Sequence, residues 1–379
     1  MKIMYIFRSL AVWGGIERIL VDKMNYMAER YGMDVYFLTS DQGSHPITYH
    51  LSERVHHEDL GVFFYQQYRF HGLRRLMVTW KINRQYRHLL GERLQIIRPD
   101  LIVCTTADKI GAIGRLKGNV PLVVESHSIC SRTLNHGGTW LQKVLFRNYF
   151  LNSLSKVDYV VALTEDDAKE WRKYHPQVMV IPNFIHPHEE YISDCSSKKA
   201  IFVGRFDYQK RAQDAICIWK KVRECHPDWT LDIFGDGDMY QEICSLAASV
   251  GGIVIHQPTP NIFEAYQECS FLISTSLFEP FGLVIPEAMS CGLPVVAFDC
   301  PYGPADIISD GNNGFLVQNR NEEKFAHKLC LLMEDETLRV RLGKAAISSA
   351  QHFSLEKILP MWKQFFQEVA KKTSYKELS

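Results

Sequence analysis

Two glutamates stand where the sequence predicts that a buried strand gives way to a helix. Glu279 follows the apolar run 271–276, and Glu287 falls in the first turn of a helix predicted to begin at Pro286. In open α/β sheets, ligands bind at such junctions because strand ends and helix N-termini converge there. Gly282, between the two acids, would leave backbone N–H groups accessible to an anion. The alternative is an ordinary strand–helix unit with two surface glutamates.

Basic residues follow a second predicted strand, at residues 200–203. Gly204 and Arg205 come directly after this strand, and Lys210 precedes the next predicted helix. The arginine fork can bind two phosphate oxygens and the lysine supplies a point charge, so this pattern suits a diphosphate. Ordinary surface bases would also explain it.

Two other strand ends carry residues that could contact a ligand. Gly14 and Gly15 precede the first helix and would let the backbone approach a phosphate or a sugar, although a simple tight turn explains them equally well. The pair is not the Gly-x-Gly-x-x-Gly fingerprint, so no nicotinamide cofactor is indicated. His127 lies just past the predicted strand 121–124, where it could take part in chemistry or simply bond to backbone.

The Asp236-Gly237-Asp238 stretch superficially resembles a metal-binding Asp-x-Asp motif. It lies in a glycine-rich turn, beginning at Gly235, that follows the predicted strand 230–234. We therefore expect its aspartates to cap the next helix rather than bind a metal. The sequence predicts no metal site.

The length predicts two domains, and the composition predicts a protein with reduced cysteines that is not exported. The chain has 379 residues, and its 43 basic and 43 acidic residues give no net charge that would favour nucleic acid. Ten cysteines without a Cys-x-x-Cys pair suggest reduced thiols and a cytoplasmic location. Residues 1–8 are expected to open with a strand rather than a signal peptide, and no apolar run reaches the ~18 residues of a membrane span.

Residues 68–98 form a predicted basic amphipathic helix. Apolar residues recur there at near-helical spacing, and only one acid, Glu92, accompanies the bases. The helix could present a solvated face of a packed structure, or a surface for anionic lipid or a lipid-diphosphate acceptor. The predicted helix 139–154 could extend that surface or simply pack. The bases are Arg69, Arg74, Arg75, Lys81, Arg84, Arg87, Arg93 and Arg98.

Strands and helices alternate along the chain with one interruption, as expected for parallel sheets. The polar, aperiodic stretch 186–198 breaks the pattern and is predicted to be a linker. This gives a first domain over 1–185 and a second over 199–358. The last segment, 359–379, is predicted to be a helix.

The two glutamates, with seven residues between them that include Phe281-Gly282-Leu283, resemble the donor-site motif of retaining GT4-type glycosyltransferases, the glycosyl transferases group 1. The Gly204-Arg205 pair followed by Lys210 is similar to the second motif of that family. Gly14 and Gly15 resemble its Gly-Gly-x-Glu loop. The match is looser at Asp306, where the family more often has glutamate.

This resemblance covers essentially the whole chain and implies the α/β GT-B fold. That fold has two Rossmann-like domains facing across a cleft, with residues 359–379 crossing back to pack on the N-terminal domain. The N-terminal domain would bind the acceptor and the C-terminal domain the nucleotide-sugar.

The resemblance also implies roles for individual residues. Arg205 and Lys210 would stabilise the leaving diphosphate, Glu287 would accept from ribose hydroxyls, Glu279 would hold the sugar, and His127 would line the sugar pocket. Catalysis would thus rest on Glu279, His127, Arg205 and Lys210. The donor-binding residues would be Gly14, Gly15, Gly204, Arg205, Lys210, Gly235, His256, Glu279, Phe281, Gly282, Leu283 and Glu287.

The implied reaction is transfer of a hexose-type sugar, without metal or cofactor and with retention of configuration. The donor would be a nucleotide-sugar, UDP before GDP. The acceptor would be a glycan or a polyprenyl-diphosphate-linked oligosaccharide in lipopolysaccharide, capsule or other cell-surface polysaccharide assembly. The protein would be cytoplasmic or peripheral on the inner membrane face. A GT-B phosphorylase or epimerase, or a non-catalytic sugar-nucleotide-binding partner, is the alternative.

Overall fold

The computed structural model describes residues 1–377 and divides by contacts into two compact units. The first unit contains Met1–Leu163, Asp167–Ile181 and the chain from Leu359 on. The second contains Thr164–Asp166 and Pro182–Ile358. Each unit is built on a parallel β-sheet, as the alternating pattern predicts.

The sheet of the first unit has, within the described residues, seven parallel strands in the order β3-β2-β1-β4-β5-β6-β7. Its central strands are apolar runs buried on both faces; β4, for example, is buried at every position. The strands are β1 Lys2–Phe7, β2 Asp34–Thr39, β3 Val55–Asp59, β4 Leu101–Thr105, β5 Leu122–Glu125, β6 Tyr159–Ala162 and β7 Val178–Val180.

Helices connect these strands. The helix α5 begins with a capping box in which Thr139 and Gln142 exchange side-chain to backbone hydrogen bonds. The predicted basic helix starts later than expected, because Phe64–Arg69 form a separate 3₁₀ turn. The helices are α1 Gly15–Glu29, α2 Gly72–Ile97, α3 Ile110–Leu116, α4 Cys130–Leu134, α5 Trp140–Leu154 and α6 Glu165–Trp171.

The second unit has, in the part of the chain that is described, a six-stranded parallel sheet in the order β10-β9-β8-β11-β12-β13. Its strands are β8 Lys199–Val203, β9 Thr230–Phe234, β10 Ile253–His256, β11 Phe271–Ser274, β12 Val295–Asp299 and β13 Gly314–Gln318. Its helices are α7 Ala212–Arg223, α8 Tyr240–Val250, α9 Ile262–Gln267, α10 Val284–Ser290, α11 Gly303–Ile307, α12 Glu322–Glu334 and α13 Glu336–Ala350.

The last helix, α14 Leu355–Glu377, starts in the second unit and belongs to the first from Leu359 on. Pro360 lies inside it, one residue past that change. Phe366 then packs edge-on against Tyr5 of β1, with 6.5 Å between ring centroids. Of the segment predicted over 359–379, residues 378 and 379 lie outside the described residues.

The stretch predicted as a linker, 186–198, groups with the second unit. It is packed rather than extended: the Ser193 hydroxyl donates to the Cys269 carbonyl at 2.5 Å, and Cys195 is buried. Side-chain hydrogen bonds therefore fix a segment whose polar, aperiodic sequence gives no element signal. Along residues 1–377, none of the helices is both long and apolar enough to cross a bilayer.

Candidate active site

The predicted donor-site residues of the second unit gather where its strand order reverses. Strand β8 has β9 on one side and β11 on the other. The connections after β8 and β11 therefore leave in opposite directions and open a crevice at the carboxyl ends of these two strands. Residues 204–211 follow β8 and residues 275–283 follow β11, so the two predicted motifs flank the same crevice.

Lys210 and Glu279 form an ion pair at this crevice. The Lys210 ammonium donates to Oε1 of Glu279 at 2.5 Å, and the Ser276 hydroxyl donates to the same oxygen at 2.6 Å. The Lys210 side chain is 15% exposed and the Glu279 side chain 4% exposed. The two groups expected to hold diphosphate and sugar thus bind each other, with the lysine partly open to solvent.

The backbone of Glu279 is fixed by a third loop. Its N–H donates to the Pro301 carbonyl at 3.2 Å, and its carbonyl accepts from the Gly303 N–H at 2.8 Å. A Cβ on Gly303 would lie 2.0 Å from the Phe281 carbonyl oxygen, so only glycine permits this approach. The loop just before Asp306, where the family match is looser, therefore positions Glu279.

The remaining motif residues lead into α10. Gly282 has φ +88°, a conformation that favours glycine, and Leu283 caps the helix. Glu287 lies in the first turn, as predicted, and is buried, although the helix begins at Val284 rather than at Pro286. The Phe281 ring is buried and packs against Phe353, with 5.5 Å between ring centroids.

Arg205 differs from Lys210 in its exposure. Its side chain is 72% exposed and lies 3.2 Å from the Asp207 carboxylate. Asp207 also accepts from the backbone N–H groups of Gln209 and Lys210, each at 2.9 Å, and so shapes the loop. The loop therefore holds Lys210 in place while Arg205 extends into solvent.

The glycine-rich turn after β9 packs against the Gly204 loop. A Cβ on Gly235 would lie 2.1 Å from the Gly204 carbonyl oxygen, so the contact between the loops requires glycine. At the end of β10, His256 lies 3.1 Å from the Asp232 carboxylate and stacks on Phe234 at 4.3 Å. His256 thus borders the same sheet edge, two strands away from β8.

The expected capping by Asp236 and Asp238 is wrong. Met239 caps α8 and makes no side-chain capping bond. Asp236 instead accepts from the adjacent Gly237 N–H at 2.8 Å, because the turn folds that amide back onto it. Within residues 1–377, no group of three or more His, Cys, Asp or Glu side chains is arranged to hold a metal ion.

Arg320 supports the site but escaped sequence reasoning. Its guanidinium donates to the carbonyls of Thr275 and Ser276 at 3.0 and 2.9 Å, pairs with Asp214, and lies 4.7 Å over the Phe298 ring. It therefore braces the segment that carries Ser276. No motif surrounds it, and its φ of +64° could not be anticipated for an arginine.

In the first unit, Gly14 and Gly15 stand at the start of α1, after β1. Gly14 has extended backbone, and a Cβ there would lie 2.1 Å from the Glu17 carboxylate. The sheet order also reverses at β1, between β2 and β4. This glycine pair therefore lies at the switch point of its own sheet.

His127 belongs to a buried chain of hydrogen-bonded polar groups in the same unit. Its Nε2 lies 3.0 Å from Oε2 of Glu125, and both Glu125 oxygens accept from the Lys23 ammonium at 2.5 Å. The Trp362 ring covers the ammonium at 3.8 Å. Nδ1 of His127 is buried and has no hydrogen-bond partner within the described structure.

Lys23 and Glu125 each favour the charged form of the other. Burial alone would raise the pKa of Glu125, but the Lys23 ammonium and the His127 hydrogen bond outweigh it and lower the pKa. Burial lowers the pKa of Lys23 more than Glu125 raises it. Sequence could have flagged Lys23, because it falls on the buried stripe of α1 with Ile19, Leu20, Met24 and Met27.

Asp167 fixes the loop on either side of His127. Its carboxylate accepts from the Cys130 N–H at 2.7 Å, from the Trp171 indole at 3.0 Å and from the Ser126 hydroxyl at 3.4 Å. Burial raises the pKa of Asp167 to about 6, although these hydrogen bonds oppose it.

Two family models match the chain. The model "Glycosyltransferase Family 4" matches residues 13–189, and "Glycosyl transferases group 1" matches residues 188–349. The two matches meet close to Pro182, where the chain enters the second unit.

Two curated relatives illustrate the range of the similarity. An uncharacterized glycosyltransferase of Haemophilus influenzae is 25% identical over 370 residues, covering 96% of this chain and 99% of that protein. An exopolysaccharide phosphotransferase of Streptomyces coelicolor is 29% identical over 285 residues, covering 73% of this chain but 29% of that protein. The chain thus spans less than a third of the second relative.

Solved structures share the fold. Staphylococcus aureus TarM, in complex with fondaparinux, alpha-GlcNAc-glycerol and UDP, has a TM-score of 0.75 at 16% identity, covering 96% of this chain and 99% of that one. Anabaena HepE, in complex with UDP and glucose, has a TM-score of 0.72 at 19% identity, covering 97% of this chain and 100% of that one. These likenesses confirm the predicted fold class, GT-B with two Rossmann-like domains.

The fold and both family matches make this chain similar to glycosyltransferases, enzymes that transfer a sugar. It is similar to glycosyltransferases of group 1 over the second unit and of Family 4 over the first.

Proposed function

We propose that this protein transfers a hexose-type sugar from a nucleotide-sugar to a hydroxyl of a glycan or polyprenyl-diphosphate-linked acceptor in cell-surface polysaccharide assembly. The observation that carries the proposal is the Lys210–Glu279 pair at the switch point of the second sheet. A cation and a carboxylate there match the two halves of the donor, a diphosphate and a polyhydroxylated sugar. UDP is our first choice of nucleotide, before GDP, because related folds were solved with UDP.

The enzyme must stabilise the charge that develops as the reaction proceeds. As the glycosidic bond breaks, the diphosphate gains negative charge while the sugar becomes oxocarbenium-like. Lys210 and Arg205 would stabilise the diphosphate, with help from the amides of Gly282 and Leu283. Arg205 can move onto the ligand because its side chain lies in solvent.

Glu279 would change partners when the donor arrives. Lys210 now neutralises it, and the Ser276 hydroxyl also holds it. If the diphosphate draws the ammonium away, Ser276 keeps the carboxylate in place and its oxygens can accept from sugar hydroxyls. Glu287, in the first turn of α10, would bind the ribose.

Replacing either member of the pair tests this proposal. Lys210→Ala and Glu279→Ala should each reduce transfer by on the order of a hundredfold or more, as for loss of a transition-state charge contact. Release of free nucleoside diphosphate measures transfer. The control is Lys221→Ala, which removes an exposed pair with Glu322 on α12 and should leave the rate unchanged. A wild-type rate in either Lys210→Ala or Glu279→Ala would overturn the assignment.

The same assay separates the alternative reactions. Product formed only with inorganic phosphate would mark a phosphorylase, product without acceptor an epimerase, and no turnover with any donor a binding partner. A thermal-shift screen of UDP and GDP would test the nucleotide, because a ligand that binds only the native state raises the melting temperature.

The stereochemistry, the absence of a metal requirement and the location are further parts of the proposal. Proton NMR of the anomeric position should show retention, and activity should persist in EDTA. We propose a cytoplasmic location because all ten cysteines are free and most of them are buried.

A further inference from the structure

The long helix α2 divides into two dissimilar halves. From Ile82 onward it buries an apolar stripe against the first sheet. None of the residues 72–81 is buried, although they include four large apolar side chains that are 59–79% exposed. The exposed residues are Leu73, Leu76, Met77 and Trp80. Packing against the sheet therefore explains only the second half of this helix.

Bases surround the exposed half without any acid. The sequence has no Asp or Glu between Asp59 and Glu92. Guanidinium groups lie over neighbouring aromatic rings: Arg74 over Phe70 at 4.7 Å, Arg75 over Tyr68 at 5.0 Å and Arg84 over Trp80 at 5.5 Å. Positive charge and apolar surface are thus interleaved rather than separated.

The helix α5 repeats this arrangement. Its first ten residues expose four large apolar side chains, 52–77% accessible, and carry Lys143 and Arg147. No acid occurs between residues 126 and 157. The exposed side chains are Trp140, Leu141, Leu145 and Tyr149.

The topology of the first sheet brings the two exposed halves together. Helix α2 leads from β3 to β4 and α5 from β5 to β6, and right-handed crossovers in the same direction place both on one face of the sheet. Helix α3 contacts both and lies between them. Both helices begin at the carboxyl edge of the strands, so their exposed first halves lie at the same edge.

We propose that residues 72–81 of α2 and 140–149 of α5 form a docking surface for anionic lipid, here called the α2–α5 surface. Aromatic and aliphatic side chains would enter the boundary between head groups and acyl chains while the bases bind anionic head groups. A second copy of this chain would bring like charge, which argues against self-association.

This inference deepens the proposed function, because it places the enzyme where a polyprenyl-diphosphate-linked acceptor resides. It does not depend on the donor chemistry of the second unit. The structure also narrows the surface predicted over 68–98, since the second half of α2 packs inward and α5 contributes instead.

Vesicle sedimentation of the full-length protein tests the surface. The protein should bind phosphatidylcholine vesicles that contain phosphatidylglycerol, bind pure phosphatidylcholine at least tenfold more weakly, and release at high salt. Leu76→Glu should weaken binding to the anionic vesicles at least tenfold. The matched control is Ile96→Glu on the same helix, where the replaced side chain is 69% exposed but lies about 30 Å further along.

Charge-reversal variants provide a second test by the same vesicle sedimentation. Arg74→Glu with Arg75→Glu should abolish the preference for anionic vesicles, whereas Arg87→Glu in the second half of α2 should leave most of it. Equal binding to neutral and anionic vesicles, or equal loss in Leu76→Glu and Ile96→Glu, would overturn the proposal. So would a concentration-dependent dimer that Leu76→Glu dissolves, because it would assign the surface to a second copy.

The two proposals can fail separately. Leu76→Glu should keep wild-type transfer to a water-soluble acceptor, and Lys210→Ala should keep wild-type vesicle binding. Loss of transfer with intact vesicle binding in Lys210→Ala would support both the transferase function and the α2–α5 surface. If the wild-type protein bound vesicles but transferred no sugar, the proposed function would be wrong and the lipid-binding surface would be retained.

Discussion

Each unit holds a glutamate at a strand end beside a lysine, but the two pairs differ in what surrounds them. In the first unit, Lys23 and Glu125 are fully enclosed, with a tryptophan ring over the ammonium and His127 on the carboxylate. In the second, Glu279 is enclosed while Lys210 remains partly open to solvent. The distances within the two pairs are equal, 2.5 Å.

The difference indicates which pair can respond to a ligand. A fully buried pair is costly to break, because each charge left alone keeps its desolvation penalty. A pair with one open member can exchange that member's partner for an anion from solvent. We therefore interpret Lys23–Glu125 as a fixed support that orients His127, and Lys210–Glu279 as a pair that donor binding rearranges.

The largest expected effect separates the pairs by stability. Lys23→Met should lower the free energy of unfolding by about 3–5 kcal/mol, because it leaves Glu125 charged and buried. Lys210→Met should cost about 1–2 kcal/mol, since Ser276 still bonds Glu279 and solvent can reach the site. Urea unfolding followed by circular dichroism measures both.

A double variant controls for lost packing at position 23. Lys23→Met combined with Glu125→Gln removes both charges and should recover a large part of the loss, while the glutamine oxygen can still accept from His127. Equal destabilisation by Lys23→Met and Lys210→Met, or no recovery in the double variant, would contradict the distinction between the pairs.

A smaller effect concerns pH and the loop around His127. The pKa of Asp167 is raised to about 6 in the folded protein, whereas an unfolded aspartate titrates near 4. The folded state then binds more protons between these values, so this group makes stability fall by about 3 kcal/mol as pH rises from about 4 to about 6. Asp167→Asn should remove that fall.

Other carboxylates titrate in the same range, so the measured quantity is the difference between wild type and Asp167→Asn. Glu125 has a lowered pKa and loses its stabilising charge at more acid pH, but it is present in both proteins and cancels. A difference in unfolding free energy that stays constant from pH 4 to pH 7 would show that Asp167 does not titrate as described.

The smallest effect tests the support of the second pair. Arg320→Met removes the donors to the carbonyls of Thr275 and Ser276. We expect kcat to fall about tenfold, because Ser276 and Glu279 lose their alignment. Arg341→Met, at an exposed position of α13, is the control. An unchanged kcat with unchanged thermal stability would show that Arg320 does not support the loop that carries Thr275 and Ser276.

Much of the site could be predicted because it follows local rules. Apolar runs and their spacing predicted the alternating elements, and glycines marked the turns at strand ends. The supporting residues could not be predicted in the same way. Arg320 donates to backbone carbonyls of a loop about 45 residues earlier in the sequence. Ser276 donates to the nearby Glu279 carboxylate, but no motif marks it. The predicted caps at Asp236 and Asp238 failed because a turn offered one of them a nearer N–H.

By itself, the sequence determined the two parallel-sheet halves and the positions of Gly204, Lys210 and Glu279 at strand ends, since hydrophobic periodicity and glycine placement act over a few residues. The tertiary structure decided that Lys210 and Glu279, 69 positions apart, bind each other. It also decided that residues 72–81 of α2 include no buried residue, whereas the rest of the helix buries an apolar stripe. Both depend on strand order and helix packing, which bring distant segments together and which no local pattern encodes.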